Sequence, residues 1–259
     1  VEVPAGQGTA EDLKVVVNGQ ESITTKSSVS PAPFIYAAPT IDSISPSELD
    51  TSGGYVTVTG TNFGLGYDTH VNLLGSGFDV DVVSQNTVNH TSMVILVAPG
   101  EGVHTLQINV SNVIGHFQYN YTAPRIVASN PSPIVTGTRG GEDIQIFGSN
   151  LGVGKDLSID IGGLYTINGD NVRLSDDRSH LNFTSPEAVA EVGQLDLRVV
   201  ASGQASQPVP FNFSSPRILS YELNASQSNS YCEAAAGDYC TDGGYTVLVV
   251  GENFGTRNL

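Results

Sequence analysis

The 259-residue sequence contains no tryptophan, one methionine and two cysteines, and only 10 lysines and arginines against 26 aspartates and glutamates, giving a formal charge of −16. So acidic a chain repels phosphate backbones and has few cations with which to release their counterions, which argues against a nucleic-acid binder. Apolar runs are short, and none approaches the roughly 18–20 residues that cross a bilayer as a helix. The first residues, Val1-Glu2-Val3-Pro4, lack the basic and apolar regions of a secretion signal. Charged residues make up only 14% of the chain and apolar residues 39%. With abundant Gly, Ser, Thr, Asn and Val, this favours short strands and turns over long charged helices or disorder. No stretch of about a dozen residues carries a convincing 3.6-residue period, so helix content is expected to be low.

What is present is a repeat. Pro39-Thr40-Ile41, Gly53-Gly54 and Gly60-Thr61-Asn62-Phe63-Gly64 are followed by Pro124-Arg125-Ile126, Gly140-Gly141 and Gly148-Ser149-Asn150-Leu151-Gly152. The pattern returns as Pro216-Arg217-Ile218, Gly243-Gly244 and Gly251-Glu252-Asn253-Phe254-Gly255. The spacings, about 85 and then about 92 residues, suit one small domain per period. Between the glycine pair and the G-x-N-[FL]-G group runs an alternating stretch such as Tyr55-Val56-Thr57-Val58-Thr59 or Asp143-Ile144-Gln145-Ile146-Phe147, and a period of two marks a half-buried strand. Further strand-like runs, 71–74, 93–97, 104–110 and 117–121, are bounded by Gly, Pro or Asn. About seven short strands in under about 95 residues predict an all-β chain of tandem immunoglobulin-like sandwiches. Val56, Val58, Leu106, Ile108, Tyr119, Ile144, Ile146, Leu197, Val199 and Phe213 are expected to face the cores.

These residues resemble the IPT/TIG family of immunoglobulin-like domains. Its pattern is a Pro-x-Ile opening, Gly-Gly before the second strand, a G-x-[NG]-[FL]-G turn after it, a V-x-x-P-x-G step and a closing aromatic pair. Val97-Ala98-Pro99-Gly100 and Tyr119-Asn120-Tyr121 supply the last two features in residues 39–123, and Thr184-Ser185-Pro186 with Phe211-Asn212-Phe213 in residues 124–215. Residues 1–38 read as the C-terminal half of a unit, with Val3-Pro4-Ala5-Gly6, Leu13-Lys14-Val15-Val16-Val17 and Phe34-Ile35-Tyr36. Residues 216–259 read as the N-terminal half of another. Neither half can bury a sandwich core alone. Either the sequence is part of a longer tandem array, or one chain's tail is completed by the head of the next. A tail–head composite would lack the strands that the second unit builds from 65–95, so the longer array is the expected arrangement. Ala123-Pro124 and Ser215-Pro216 leave almost no linker, and proline stiffens both joints.

Cys232 and Cys240 lie in an insertion of the last segment, and a disulfide closing this small loop is the favoured reading, two free thiols in a reducing compartment the alternative. Six Asn-x-Ser/Thr sequons occur, at Asn89, Asn109, Asn120, Asn182, Asn212 and Asn224. Asn109, Asn120, Asn182 and Asn212 alternate with apolar neighbours, so a period of two sends them to the solvent face, where N-linked glycans fit. Outward polar residues are also what any sandwich shows. Sequons and disulfide together predict an extracellular or cell-surface glycoprotein.

Catalytic signals are weak. His70, His90, His104, His116 and His180 are scattered, without the spacing of a zinc site. Gly152-Val153-Gly154-Lys155 has Ser149 where a phosphate loop needs its first glycine and Asp156 where it needs Ser or Thr, so it reads as a turn. Asp79 with Asp81, and Asp176 with Asp177, offer too few oxygens for calcium. No Gly-x-Ser-x-Gly elbow occurs. Neither an enzyme nor a cofactor or metal is expected. The family resemblance implies either a structural or adhesive rod or a receptor or carbohydrate-binding ectodomain, since IPT/TIG domains occur in both, as well as in transcription factors and starch-acting enzymes. The charge argues against DNA binding and the absence of a catalytic module against an enzyme. A rod or fibre segment, partnered by further such domains of the same or neighbouring chains, is the favoured expectation.

Overall fold

The computed structural model describes residues 5–8, 15–22, 35–64, 66, 68–75, 82–188, 193–224 and 246–255. The remainder, including Cys232, Cys240, Asp79 and Asp81, lies outside the described residues. No α-helix occurs among them; the one helical turn is a 3-10 segment, Gly169–Asn171.

The first short strands are β1 (Val16–Val17) and β2 (Gln20–Glu21), paired antiparallel. The second unit comprises β3 (Thr40–Ser45), β4 (Glu48–Leu49), β5 (Gly54–Thr61), β6 (Thr69–Leu74), β7 (Val82–Asn89), β8 (Ser92–Val97), β9 (Val103–Val110) and β10 (Val113–Tyr121). They form two four-stranded sheets, β3-β5-β8-β7 and β4-β10-β9-β6. Period-two alternation turns Val56, Val58, Met93, Ile95 and Val97 of one sheet toward Val71, Leu73, Leu106, Ile108 and Tyr121 of the other, and these residues form a single core. Phe63 of the G-x-N-[FL]-G turn closes one end of it, fully buried.

The third unit repeats the plan with β11 (Arg125–Asn130), β12 (Ile134–Thr136), β13 (Asp143–Ser149), β14 (Leu157–Ile161), β15 (Tyr165–Asn168), β16 (Val172–Leu174), β17 (His180–Thr184), β18 (Leu195–Ala201), β19 (Gln204–Ala205) and β20 (Val209–Phe213). Its sheets are β11-β13-β17-β16 and β12-β20-β18-β14-β15, with β19 on β18. Ile144, Ile146, Leu151, Ile159, Leu181, Leu197, Val199 and Phe211 make its core. All of the expected core residues are buried except Phe213, which stands at the sheet margin, half-buried, edge-on to Phe211 at 5.2 Å and to Tyr165 at 6.2 Å.

The repeat extends to local geometry. Each first strand carries a bulge, at Ile41/Ser43, Ile126/Ala128 and Ile218/Ser220. The first three units each have a two-residue hairpin turn with positive φ at both positions, Asn18-Gly19, Ser111-Asn112 and Ser202-Gly203, the geometry that matches strand twist. The last pair, β21 (Arg217–Asn224) with β22 (Thr246–Glu252), keeps the register of β3 with β5. Val247 and Val249 are 47% and 42% exposed, whereas their counterparts Val56 and Val58 are 1% and 0% exposed. The apolar face that a second sheet covers in the complete units is open here.

Candidate interaction surfaces

The carboxylates and histidines are dispersed: among the described residues no three His, Cys, Asp or Glu side chains are placed to share a metal. Asp177 accepts hydrogen bonds from Ser175 Oγ (2.7 Å), Ser179 N (3.1 Å) and Ser179 Oγ (2.8 Å), which tie a surface turn and hold its carboxyl down at about 2. His70 stands 3.3 Å from Asp68, and His116 lies 3.1 Å from Gln107. His180 contacts Ser179 Oγ at 3.1 Å and the Phe147 ring. His104 is a core residue, its Nε2 2.8 Å from the Glu101 carbonyl and its ring edge-on to Tyr121. Tyr121 donates to the Ala98 carbonyl (2.7 Å) and Tyr119 to that of Pro46 (3.0 Å). Burial first, then the neighbouring Glu48, pushes the Tyr119 phenol up to about 12.

Two concavities stand out among the described residues. One, of about 190 Å³, lies between residues 5–8 and the second unit and is lined by Gln7, Tyr36, Asn62 and His90. The other is an open groove in the third unit where Lys155, Arg173 and Arg178 are interspersed with Asp156, Asp170 and Asp176. Neither is the enclosed, largely apolar pocket with a few converging polar groups that small ligands occupy.

The sequon asparagines occupy strand faces and turns. Asn182 is exposed on β17. Asn109 and Asn212 are half-buried. Asn109 Oδ1 accepts from Asn112 N (2.9 Å), and Asn89 Oδ1 accepts from Thr91 N (2.9 Å) and Ser92 N (2.7 Å), so in both it is the oxygen that caps the turn. Asn120 is the tightest: it pairs with Glu48 across β10 and β4, and its Oδ1 is buried without a partner. Asn224 ends β21 opposite Thr246, and its side chain lies outside the described residues.

The surfaces with most specific geometry are the joints between units. The asparagine of each G-x-N-[FL]-G turn has positive φ, 62° at Asn62, 54° at Asn150 and 58° at Asn253, a conformation asparagine tolerates better than most residues. That conformation turns the side chain back toward the preceding unit. Asn150 Oδ1 accepts from Thr51 N (3.1 Å) and its Nδ2 donates to Asp50 Oδ1 (3.2 Å). Asn253 Oδ1 accepts from Thr138 N (3.3 Å) and its Nδ2 donates to the Ser215 carbonyl (3.4 Å). Asn62 Nδ2 donates to the Ala38 carbonyl (3.1 Å). At the joint of the second and third units Gln204 donates to the Tyr121 carbonyl (2.8 Å). There too Glu101, 2% exposed, accepts from Val153 N, Asp156 N (2.9 Å) and Ser202 Oγ (3.1 Å). The sequence motif identified the asparagines as turn residues but gave no sign of this second role, and Glu101 carried no signal within its own unit.

Two-sheet sandwiches with Pro-x-Ile openings and this repeated turn define an array of immunoglobulin-like domains. Residues 39–123 match the model of the IPT/TIG domain, and this segment belongs to that family. No curated protein matches the sequence. Solved structures that resemble the chain include the full extracellular region of plexin A4, at 16% identity and TM-score 0.32, covering 79% of this chain and 19% of that one. A surface glycan-binding protein of Prevotella bryantii gives 15% identity and TM-score 0.35, covering 66% and 41%. One from a xyloglucan utilization locus of Bacteroides uniformis gives 19% and 0.27, covering 67% and 49%. The chain thus spans between about a fifth and a half of those chains, and likeness of this degree carries no functional argument.

Proposed function

We propose that this chain is a segment of an extracellular structural or adhesive protein, in which IPT/TIG units stack end to end into a rod or fibre. The observation that carries the reading is that the second and third units abut without a linker and are joined by side-chain hydrogen bonds, including those of Asn150, Glu101 and Gln204. Units that contact mainly their neighbours build a quasi-one-dimensional object. The open face of β21 and β22 supports completion of this segment by further strands of a longer array. Six sequons and the Cys232–Cys240 pair support N-glycosylation, a loop-closing disulfide and a location outside the cell. The chemistry expected of the protein is association through surfaces, with no enzymatic role.

Electron microscopy of the native full-length protein tests this. Elongated rods or filaments with an axial repeat of stacked small domains are the expected result. Compact monomeric particles overturn it in favour of a receptor or glycan-binding ectodomain.

A further inference from the structure

A second element accompanies the asparagine contacts at two of the joints. In the second unit the step at the end of β8 runs Gly100-Glu101-Gly102; near the start of the chain the same position reads Gly6-Gln7-Gly8. Both cross to the next unit in the same way. Glu101 lies over Gly152, the last glycine of the G-x-N-[FL]-G turn, where any Cβ would collide with its carboxylate; Gln7 lies over Gly64, the same glycine one unit earlier. Glu101 accepts from Ser202 Oγ (3.1 Å), and Gln7 Nε2 donates to Ser111 Oγ (3.0 Å). Ser111 and Ser202 occupy the same place in the positive-φ hairpin turn of their units. The following glycine is packed against that serine in both cases, Gly8 on Ser111 and Gly102 on Ser202. Two glycines, one long polar side chain and one serine therefore form a matched clasp, conserved in geometry across two joints of one chain.

We propose that the G-[QE]-G step is an orientation-setting clasp between successive units, read by the last glycine of the G-x-N-[FL]-G turn and by the hairpin serine, so that neighbouring units are held at one fixed orientation where the clasp is present. The joint of the first unit with the second and that of the second with the third are then rigid. Glu101 is a positioning residue. It is almost fully buried and satisfied on the partner side by two backbone N–H groups and a hydroxyl, so loss of its side chain leaves those donors facing each other across an empty joint. The clasp is indifferent to whether the array ends as a fibre or a receptor, so its failure and failure of the rod reading are separate results.

The test uses the 259-residue chain, isotope-labelled and weakly aligned, with residual dipolar couplings fitted separately for residues 39–123 and 124–215. In the unsubstituted chain both sets fit one alignment tensor. Glu101→Ala splits them into two tensors while the melting temperature of each unit is kept. Should Glu101→Ala disturb folding of its own unit, Ser202→Gly removes the opposing hydroxyl at a φ that glycine accepts, and the same splitting is expected. Two tensors in the unsubstituted chain, or one tensor preserved in the folded clasp variant, overturns the proposal.

Discussion

Gly60, Gly148 and Gly251 open the three G-x-N-[FL]-G turns, and the geometry accounts for why no other residue stands there. None needs positive φ. A Cβ at Gly60 would overlap the Thr40 carbonyl oxygen and come within 2.7 Å of Phe63 Cζ; at Gly148 it would overlap the Arg125 carbonyl and lie 2.9 Å from Leu151 Cδ2. The first strand passes directly across the second at its bulge, and the buried ring or isobutyl group of the same turn fills the remaining space. Gly60→Ala therefore drives a methyl group into backbone on one side and into a fully buried side chain on the other. Overpacking of this kind costs about 1–3 kcal/mol, and the upper half of that range applies because a strand carbonyl cannot rotate away. For a unit of this size about 1 kcal/mol corresponds to roughly 4–8 °C in Tm, so its unfolding transition is expected to fall by roughly 10–20 °C. Differential scanning calorimetry resolves this, with Gly193→Ala as the comparison, since that position has ordinary φ and no described atom within 4 Å of where its Cβ would stand. A Gly60→Ala protein melting within about 2 °C of the parent would refute the close-approach reading of the motif.

Further expectations concern titration and modification. Asp177 has its carboxyl lowered to about 2, mainly by the Ser175 hydroxyl and the Ser179 N–H. Its contribution to stability is therefore present above the unfolded value near 3.8 and lost as pH falls toward 2; carboxyl carbon NMR titration should show no midpoint between those values, and a midpoint near 3.8 removes the turn as its cause. Tyr119, raised from 10 to about 12, contributes stability below pH 10 that is lost as pH rises toward 12, and ultraviolet difference titration should show it silent until the fold opens. Treatment of the native protein with an N-glycosidase is expected to lower its intact mass, and an unchanged mass refutes the proposed compartment along with the glycans.

Much of the fold was legible because strand periodicity is local. Val56, Val58, Ile144 and Ile146 alternate with polar residues within a few positions, and the glycine punctuation marks their ends. Phe213 was placed in the core on the same alternation yet is only half-buried, because a period assigns a side chain to a face and not to a depth; at the margin of β20 the face has run out of opposing sheet. The same limit applies to Asn120, which alternates with the core residues Tyr119 and Tyr121 but whose oxygen is covered where β4 joins the sheet. The joints were not legible. Glu101 meets Ser202 about a hundred residues away, and only the fold places them together. Gly6-Gln7-Gly8 and Gly100-Glu101-Gly102 resemble ordinary turns until their partners Gly64 and Gly152 are seen beneath them.

The short strands β4 and β12 have a consequence for load-bearing. Each lies near the beginning of its unit and pairs in parallel with the final strand, Glu48 and Leu49 with Asn120 and Tyr121, and Ile134 to Thr136 with Phe211 to Phe213. When the two ends of a unit are pulled apart, parallel neighbours at its beginning and end slide lengthwise past one another, and their hydrogen bonds strain together instead of opening one after another. A polypeptide so arranged resists tension along its own axis far better than peeling from the side, and the third unit sets three such pairs in shear against two in the second.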